Sequence, residues 1–157
     1  MGRPEPVPYR VRNLKKYKGD ATKVVARSSW EKIAFKWFDL HPNVVEWSSE
    51  ETVIPYLMEH TNSSTGEIFV KPHRYFVDIK VTFQVDGKRK TYLCEIKPYD
   101  ETQPPVPTSG KSRKTLMDQI ETFKQNEAKW AATREFCEKF GYEFIILTEC
   151  ELGIKKA

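Results

Sequence analysis

No uninterrupted apolar run in this chain exceeds a few residues; the longest near the end is Phe144-Ile145-Ile146-Leu147. A transmembrane helix needs about 20 such residues, and a secretory leader needs an apolar stretch of about 7–15. Pro and Arg stand where that stretch would be, so no membrane association is expected. Cysteine is scarce: Cys94, Cys137 and Cys150 are odd in number, widely spaced and form no CxxC pair. That argues against a disulfide scaffold or a thiolate zinc site and fits a reducing compartment. Histidine is equally sparse. His41, His60 and His73 show no metal-ligand spacing and read as loop residues, with His73 beside Arg74 placed to approach DNA. A glycine-rich phosphate loop is absent, and no serine or cysteine sits in an elbow motif.

What is present is one domain's worth of chain, 157 residues, at about 100–200 residues per domain. An aromatic content of 13% is too high for a disordered polymer. The charge is unevenly placed. Residues 1–20 hold six basic groups, Arg3, Arg10, Arg12, Lys15, Lys16 and Lys18, against Glu5 and Asp20, and the rest of the chain is balanced. The whole excess of +4 therefore belongs to the first twenty residues. With Pro4, Pro6, Pro8, Gly19 and no apolar periodicity, they read as a flexible basic arm on a body spanning 21–157. The arm is either a solubilising tail or a nucleic-acid contact, since Arg10, Arg12, Lys15, Lys16 and Lys18 interleave with Tyr9 and Tyr17.

Along the body, a helix is expected from Ser28 or Ser29 to Pro42, with Trp30, Ile33, Ala34, Trp37 and Phe38 as its apolar stripe. Short strands are expected at Val44–Trp47 and Thr52–Tyr56. A loop over 58–73 follows, with at most a small strand at Ile68–Val70. Tyr75–Val85 alternates as one strand, Asp86-Gly87 is a two-residue turn, and a return strand runs from about Lys90 to Lys97. A proline-rich loop spans 98–110. A helix from about Ser112 to Phe140 follows, with a break possible at Glu127 and a stop at Gly141. Tyr142–Thr148 reads as a strand buried on both faces. The order predicts an α/β chain with a mixed sheet.

The hairpin places chemistry on one face. A turn centred between Asp86 and Gly87 sets Asp78 opposite Glu95, with β-carbons about 4.5–5.5 Å apart. Lys97, two residues beyond Glu95, shares their face. Opposed carboxylates repel, and a divalent cation between them relieves the repulsion; oxygen donors suit Mg²⁺ or Mn²⁺. Such an ion polarises a phosphate oxygen and lowers the pKa of a bound water, and a lysine nearby stabilises charge on phosphorus. The competing explanation is an exposed salt-bridged face on which Lys97 and Lys80 neutralise Asp78 and Glu95. A second E-x-K triplet, Glu127-Ala128-Lys129, falls in the long helix, where residues two apart do not share a face. Ser28-Ser29-Trp30-Glu31 fits a capping box, which explains Glu31 structurally; the functional alternative makes it a third carboxylate. Lys111, Arg113 and Lys114 open the long helix, against its dipole, as either a solvated loop or a phosphate contact.

Asp78, Glu95-Ile96-Lys97 and a preceding helix with Glu31 resemble the PD-(D/E)xK nuclease superfamily, with Val77 in place of the motif's proline. Longer strings resemble the head completion nucleases of T4-type tailed bacteriophages. They are Tyr17-Lys18-Gly19-Asp20, Arg27-Ser28-Ser29-Trp30-Glu31, Asn43 through Glu51, His73 through Asp78, Glu95-Ile96-Lys97-Pro98 and Phe144 through Glu149. The chain is also similar to TnsA-type transposon endonucleases, which carry a glutamate on the first helix. The resemblance implies a restriction-endonuclease-like αβββαβ core. It also implies a magnesium-dependent DNA endonuclease acting in head completion and head–tail joining after packaging. On that reading Asp78, Glu95, the Ile96 carbonyl and Glu31 hold Mg²⁺ or Mn²⁺, and Lys97 assists the attacking water. Arg10, Arg12, Lys15, Lys16, Lys18, Lys111, Arg113 and Lys114 meet double-stranded DNA. Expected partners are phage head or portal and neck proteins, in the host cytoplasm during assembly, with retention in the virion also open. Two rivals stand beside it: a non-catalytic head protein with a vestigial motif, and a sequence-specific restriction- or transposon-type endonuclease.

Overall fold

The structure, a computed structural model, describes residues 5–154. Its elements in chain order are β1 (Val7–Pro8), β2 (Val25–Ala26), α1 (Ser29–Leu40), β3 (Val44–Ser49), β4 (Val53–Thr61), β5 (Ile68–Phe76), β6 (Ile79–Val85), β7 (Lys88–Ile96), α2 (Arg113–Phe140), β8 (Glu143–Leu147) and α3 (Glu149–Leu152). The central sheet has the order β3-β6-β7-β8. Its first three strands are antiparallel, and β8 runs parallel to β7. A parallel pair needs a long crossover, and the loop after β7 together with α2 provides it. This mixed sheet between helices is the α/β, restriction-endonuclease-like architecture expected from the sequence.

The β6–β7 turn is as predicted. Asp86 and Gly87 have φ of 52° and 75°, the left-handed pair a type I′ turn requires, and the ladder runs from Val85↔Lys88 to Ile79↔Cys94. Both faces of the sheet are covered. Ala34, Phe35 and Phe38 of α1 pack with Trp47, Ile79, Val81 and Cys94 on one side. Cys137 of α2 packs with Ile54, Tyr56, Tyr75, Val77 and Leu93 on the other.

Five expectations are corrected. The inward stripe of α1 is Glu31, Ala34, Phe35, Phe38 and Asp39, rotated from the predicted one, so Ile33 and Trp37 are exposed. The cause is the second correction: residues 5–20 are not a free arm. Val11 and Tyr17 are buried, the Arg12 and Asn13 amides donate to the Asp39 carboxylate at 2.8 and 3.1 Å, and Tyr9 packs edge-on against Phe35 and Trp47. Asp39 can turn inward because those donors meet it there, and buried polar groups need such partners. Arg3 lies outside the described residues.

Third, Tyr75–Val85 is not one strand. β5 pairs with β4 in a separate two-stranded ribbon and β6 with β3 in the main sheet, so the chain changes sheets at Val77-Asp78. Fourth, residues 58–73 are mostly not loop: the ribbon pairs Val53↔Phe76 through Thr61↔Ile68, and only 62–67 turn. Fifth, β8 is half-buried rather than buried on both faces, because it is an edge strand with α2 over part of it. The long helix does run unbroken through Glu127, from the Ser112 cap to Gly141 at φ 71°.

Candidate active site

The change of sheet at Val77-Asp78 is what aims the carboxylates. Asp78 lies one residue before the last β6–β7 pair, and its Oδ2 accepts the Ile96 backbone N–H at 2.8 Å. The aspartate is thus pinned to the strand that carries Glu95. Glu95 is 6% exposed; the Tyr75 hydroxyl donates to its Oε2, and Lys97 Nζ lies 3.8 Å from its Oε1. β7 is held in place on its other side, where the Lys97 amide donates to Leu147 O at 3.0 Å. Lys80, the other expected neutraliser, instead sits over the Tyr142 ring at 5.0 Å.

Glu31 comes from the first turn of α1. Its amide donates to Ser28 Oγ at 3.1 Å, the forward half of a capping box. Its carboxylate accepts the Arg27 amide at 3.2 Å, one residue beyond the cap the box would serve. Glu31 is buried, and its carboxyl feels the Asp78 charge. Ser28 caps the helix through the Glu31 amide, and the Glu31 carboxylate is left to Arg27 and the Asp78 side of the site.

Burial dominates the electrostatics. It raises Glu31 to about 7, with the Asp78 and Glu50 charges adding. It raises Asp78 to about 6 against the opposing Ile96 N–H and Lys97, and Glu95 to about 6 against Lys97 and Lys129. Three carboxylates are held above their ordinary range because desolvation disfavours their charged forms.

Sequence reasoning missed three participants. Glu50 faces Glu31 and Asp78 electrostatically and is clamped by Arg27, Nε to Oε1 at 2.8 Å and Nη2 to Oε2 at 3.2 Å. Its φ of 57° is in the left-handed region, uncommon for a residue with a side chain; nothing in the sequence marks that. Tyr75 reads in the sequence only as core. Lys129 reads there as half of a helical triplet, yet its Nζ lies 5.6 Å from the centroid of the Tyr75 ring.

The expected DNA contacts divide. Arg10, Arg12, Lys15, Lys18, Arg113 and Lys114 are exposed. Lys16 is committed to the fold, donating to the Asp39 and His41 carbonyls at 3.2 and 2.8 Å. Lys111 braces the proline-rich loop through Val106 O at 2.7 Å. Arg113 and Lys114 lie about 24 Å up α2 from Lys129 at 1.5 Å per residue, outside the carboxylate cluster. His60 and His73 are ribbon residues rather than loop residues, with Nε2 atoms 2.8 Å apart.

A divalent cation fits this donor set in kind. Asp78, Glu95 and Glu31 offer hard oxygen atoms, and Lys97 leaves Glu95 only loosely paired. Among the described residues, no three His, Cys, Asp or Glu side chains are grouped so that they could hold a metal ion by themselves. A Mg²⁺ ion is commonly held through one or two carboxylates, with waters and substrate phosphates completing its shell. A cavity of about 940 Å³ lies on the α1 side among Trp37, Phe83, Val85 and Tyr92 and holds none of these carboxylates.

Known proteins are similar to this sequence. Residues 41–149 match the family described as TnsA-like endonuclease N terminal. The chain is 40% identical over 141 residues to the head completion nuclease of Enterobacteria phage T4, covering 88% of this chain and 87% of that protein. No solved structure matches.

Proposed function

The chain belongs to the TnsA-like endonuclease family, and from that premise we propose that it is a divalent-metal-dependent DNA endonuclease of phage head completion with its active site at Asp78, Glu95, Lys97 and Glu31. It is a nuclease by family, and DNA is its substrate. The observation that supports the site is the hydrogen bond of Asp78 to the Ile96 amide, the backbone group between Glu95 and Lys97, together with the Lys97–Glu95 pair. Asp78, Glu95 and the Ile96 carbonyl would hold Mg²⁺ or Mn²⁺, with Glu31 completing the set from α1.

When bound, the ion supplies Lewis-acid polarisation of the scissile phosphate and a water of lowered pKa. The chain's own residues do the rest. Tyr75 fixes the rotamer of Glu95 by its hydroxyl. Lys97, anchored beside Glu95, is placed to orient the attacking water and to balance charge on the phosphate. Arg10, Arg12, Lys15, Lys18, Arg113 and Lys114 supply phosphate contacts along the duplex, and portal or neck proteins of the phage head are the partners this role requires.

The test is cleavage of supercoiled plasmid with Mg²⁺ or Mn²⁺ by wild type and by Asp78→Ala, Glu95→Ala and Lys97→Ala. Cleavage should fall by about 10²–10⁴-fold in each, with duplex binding retained. Undiminished cleavage in all three would remove the site assignment.

A further inference from the structure

The β4–β5 ribbon has an unusual outer face. In an antiparallel ribbon with one side packed, the other side should be polar. Here the inner side is packed: Ile54, Tyr56 and Tyr75 are buried under α2. The outer side alternates Val53, Pro55, Leu57, Glu59 and Thr61 with Ile68, Val70, Pro72, Arg74 and Phe76 across the ladder. All ten are exposed. Leu57 and Ile68 are 67% and 68% exposed, Val70 57% and Phe76 47%. Seven of the ten outer residues are apolar, a contiguous patch of the kind that marks an interaction surface.

We infer that this face pairs two copies of the chain, ribbon against ribbon, about a two-fold axis through the Leu57–Pro72 layer. Charge placement selects that occupant. The face carries one acid, Glu59, toward the ribbon tip and one base, Arg74, toward its root beside Phe76. Antiparallel packing of two copies brings the layer of Arg74 against the layer of the partner copy's Glu59, twice, as an isologous interface requires. The Leu57–Pro72 layers of the two copies then stack on each other, and the Val53–Phe76 layer of each meets the Thr61–Ile68 layer of the other. A DNA strand fits poorly, because the face is neutral overall and phosphate binding needs cations. The dimer is modest: ten residues a side is at most half of the roughly 20–30 in a standard interface, so association in the micromolar range is expected. The two active sites follow at the ribbon roots, since Asp78 is two residues past Phe76.

Sedimentation equilibrium of the full chain from about 1 µM to 1 mM should show a reversible monomer–dimer equilibrium. Leu57→Lys or Ile68→Lys should shift it to monomer with the circular dichroism spectrum unchanged and the melting temperature unchanged at concentrations where the wild type is itself monomeric, since both side chains are exposed; if one variant fails to fold, the other carries the test. Glu59→Arg or Arg74→Glu alone should weaken dimerisation about 3- to 10-fold, and the double exchange should restore it. A monomer across the whole range, a dimer indifferent to both lysine substitutions, or a double exchange without recovery would overturn the proposal. A monomer that binds a head protein through this face would overturn it too.

Discussion

Glu95-Ile96-Lys97 and Glu127-Ala128-Lys129 carry the same pattern on different backbones. On β7, residues two apart share a face, so Lys97 Nζ reaches to 3.8 Å from Glu95. On α2, two residues span about 200°, so Glu127 points to solvent while Lys129 is half-buried. Lys129 nevertheless turns toward the strand triplet, over Tyr75, and its charge acts on Asp78 and Glu95. A triplet is chemistry only where backbone period puts its ends together. Elsewhere its members can be recruited singly.

The strongest way to break this contrast is to treat both triplets alike. Glu95→Gln should lower single-turnover plasmid cleavage by about 10²–10⁴-fold, because it removes a carboxylate from the cluster. Glu127→Gln should leave the rate within about twofold, a change worth under about 0.5 kcal/mol. Equal losses would mean that the helix triplet also contributes a ligand.

How much of the site is legible in the sequence follows from the same physics. The register of β6 and β7 is legible, since Asp86-Gly87 admits one turn and the turn sets every pair after it. That leaves Glu95 and Lys97 two apart on β7, but the ladder ends at Ile79↔Cys94, and Asp78 joins them only through the change of sheet and the Ile96 amide. Glu31 is legible as a cap, but its carboxylate serves Arg27 rather than Ser28 because Arg27 leads in from β2. The docking of residues 5–20 is not legible. Val11 and Tyr17 lack periodicity with each other, and each finds its place on the separate surfaces of α1 and β3. Glu50 and Lys129 reach the cluster through tertiary contact alone. The separate ribbon escapes notice because Tyr75–Val85 alternates without interruption, although the strand changes partners midway.

A second prediction concerns what the strand triplet costs the metal-free protein. Asp78 and Glu95 hold their protons up to about 6 in the folded chain, above the ordinary range near 4 expected when unfolded. Between those values the folded state binds more protons, so stability falls as pH rises from about 4 through about 6 and stays lower above it. Each group costs about 2–3 kcal/mol at most, since a tenfold change in proton affinity is worth about 1.4 kcal/mol. Urea denaturation in chelator should therefore give greater stability at pH 5 than at pH 8. Glu95→Gln and Asp78→Asn should each flatten the difference. A pH difference left unchanged by both substitutions would show that the two carboxylates are not strained by burial.

The smallest effect separates recruitment from mere proximity in the helix triplet. Lys129 touches no carboxylate at salt-bridge distance among the described residues, so its action is through space. Lys129→Met keeps most of the stem over Tyr75 and removes the charge. If that charge helps hold the substrate phosphate or balance Asp78 and Glu95, kcat/KM should fall about 3- to 10-fold, roughly 0.7–1.4 kcal/mol. The loss should shrink with added salt, because a half-exposed charge is screened. Lys129→Arg should recover most of the rate, since it restores charge on a stem of similar reach. If Lys129→Met instead cleaves like wild type at low salt, the lysine is packing for Tyr75, and the chemistry belongs to the strand triplet and its partners alone.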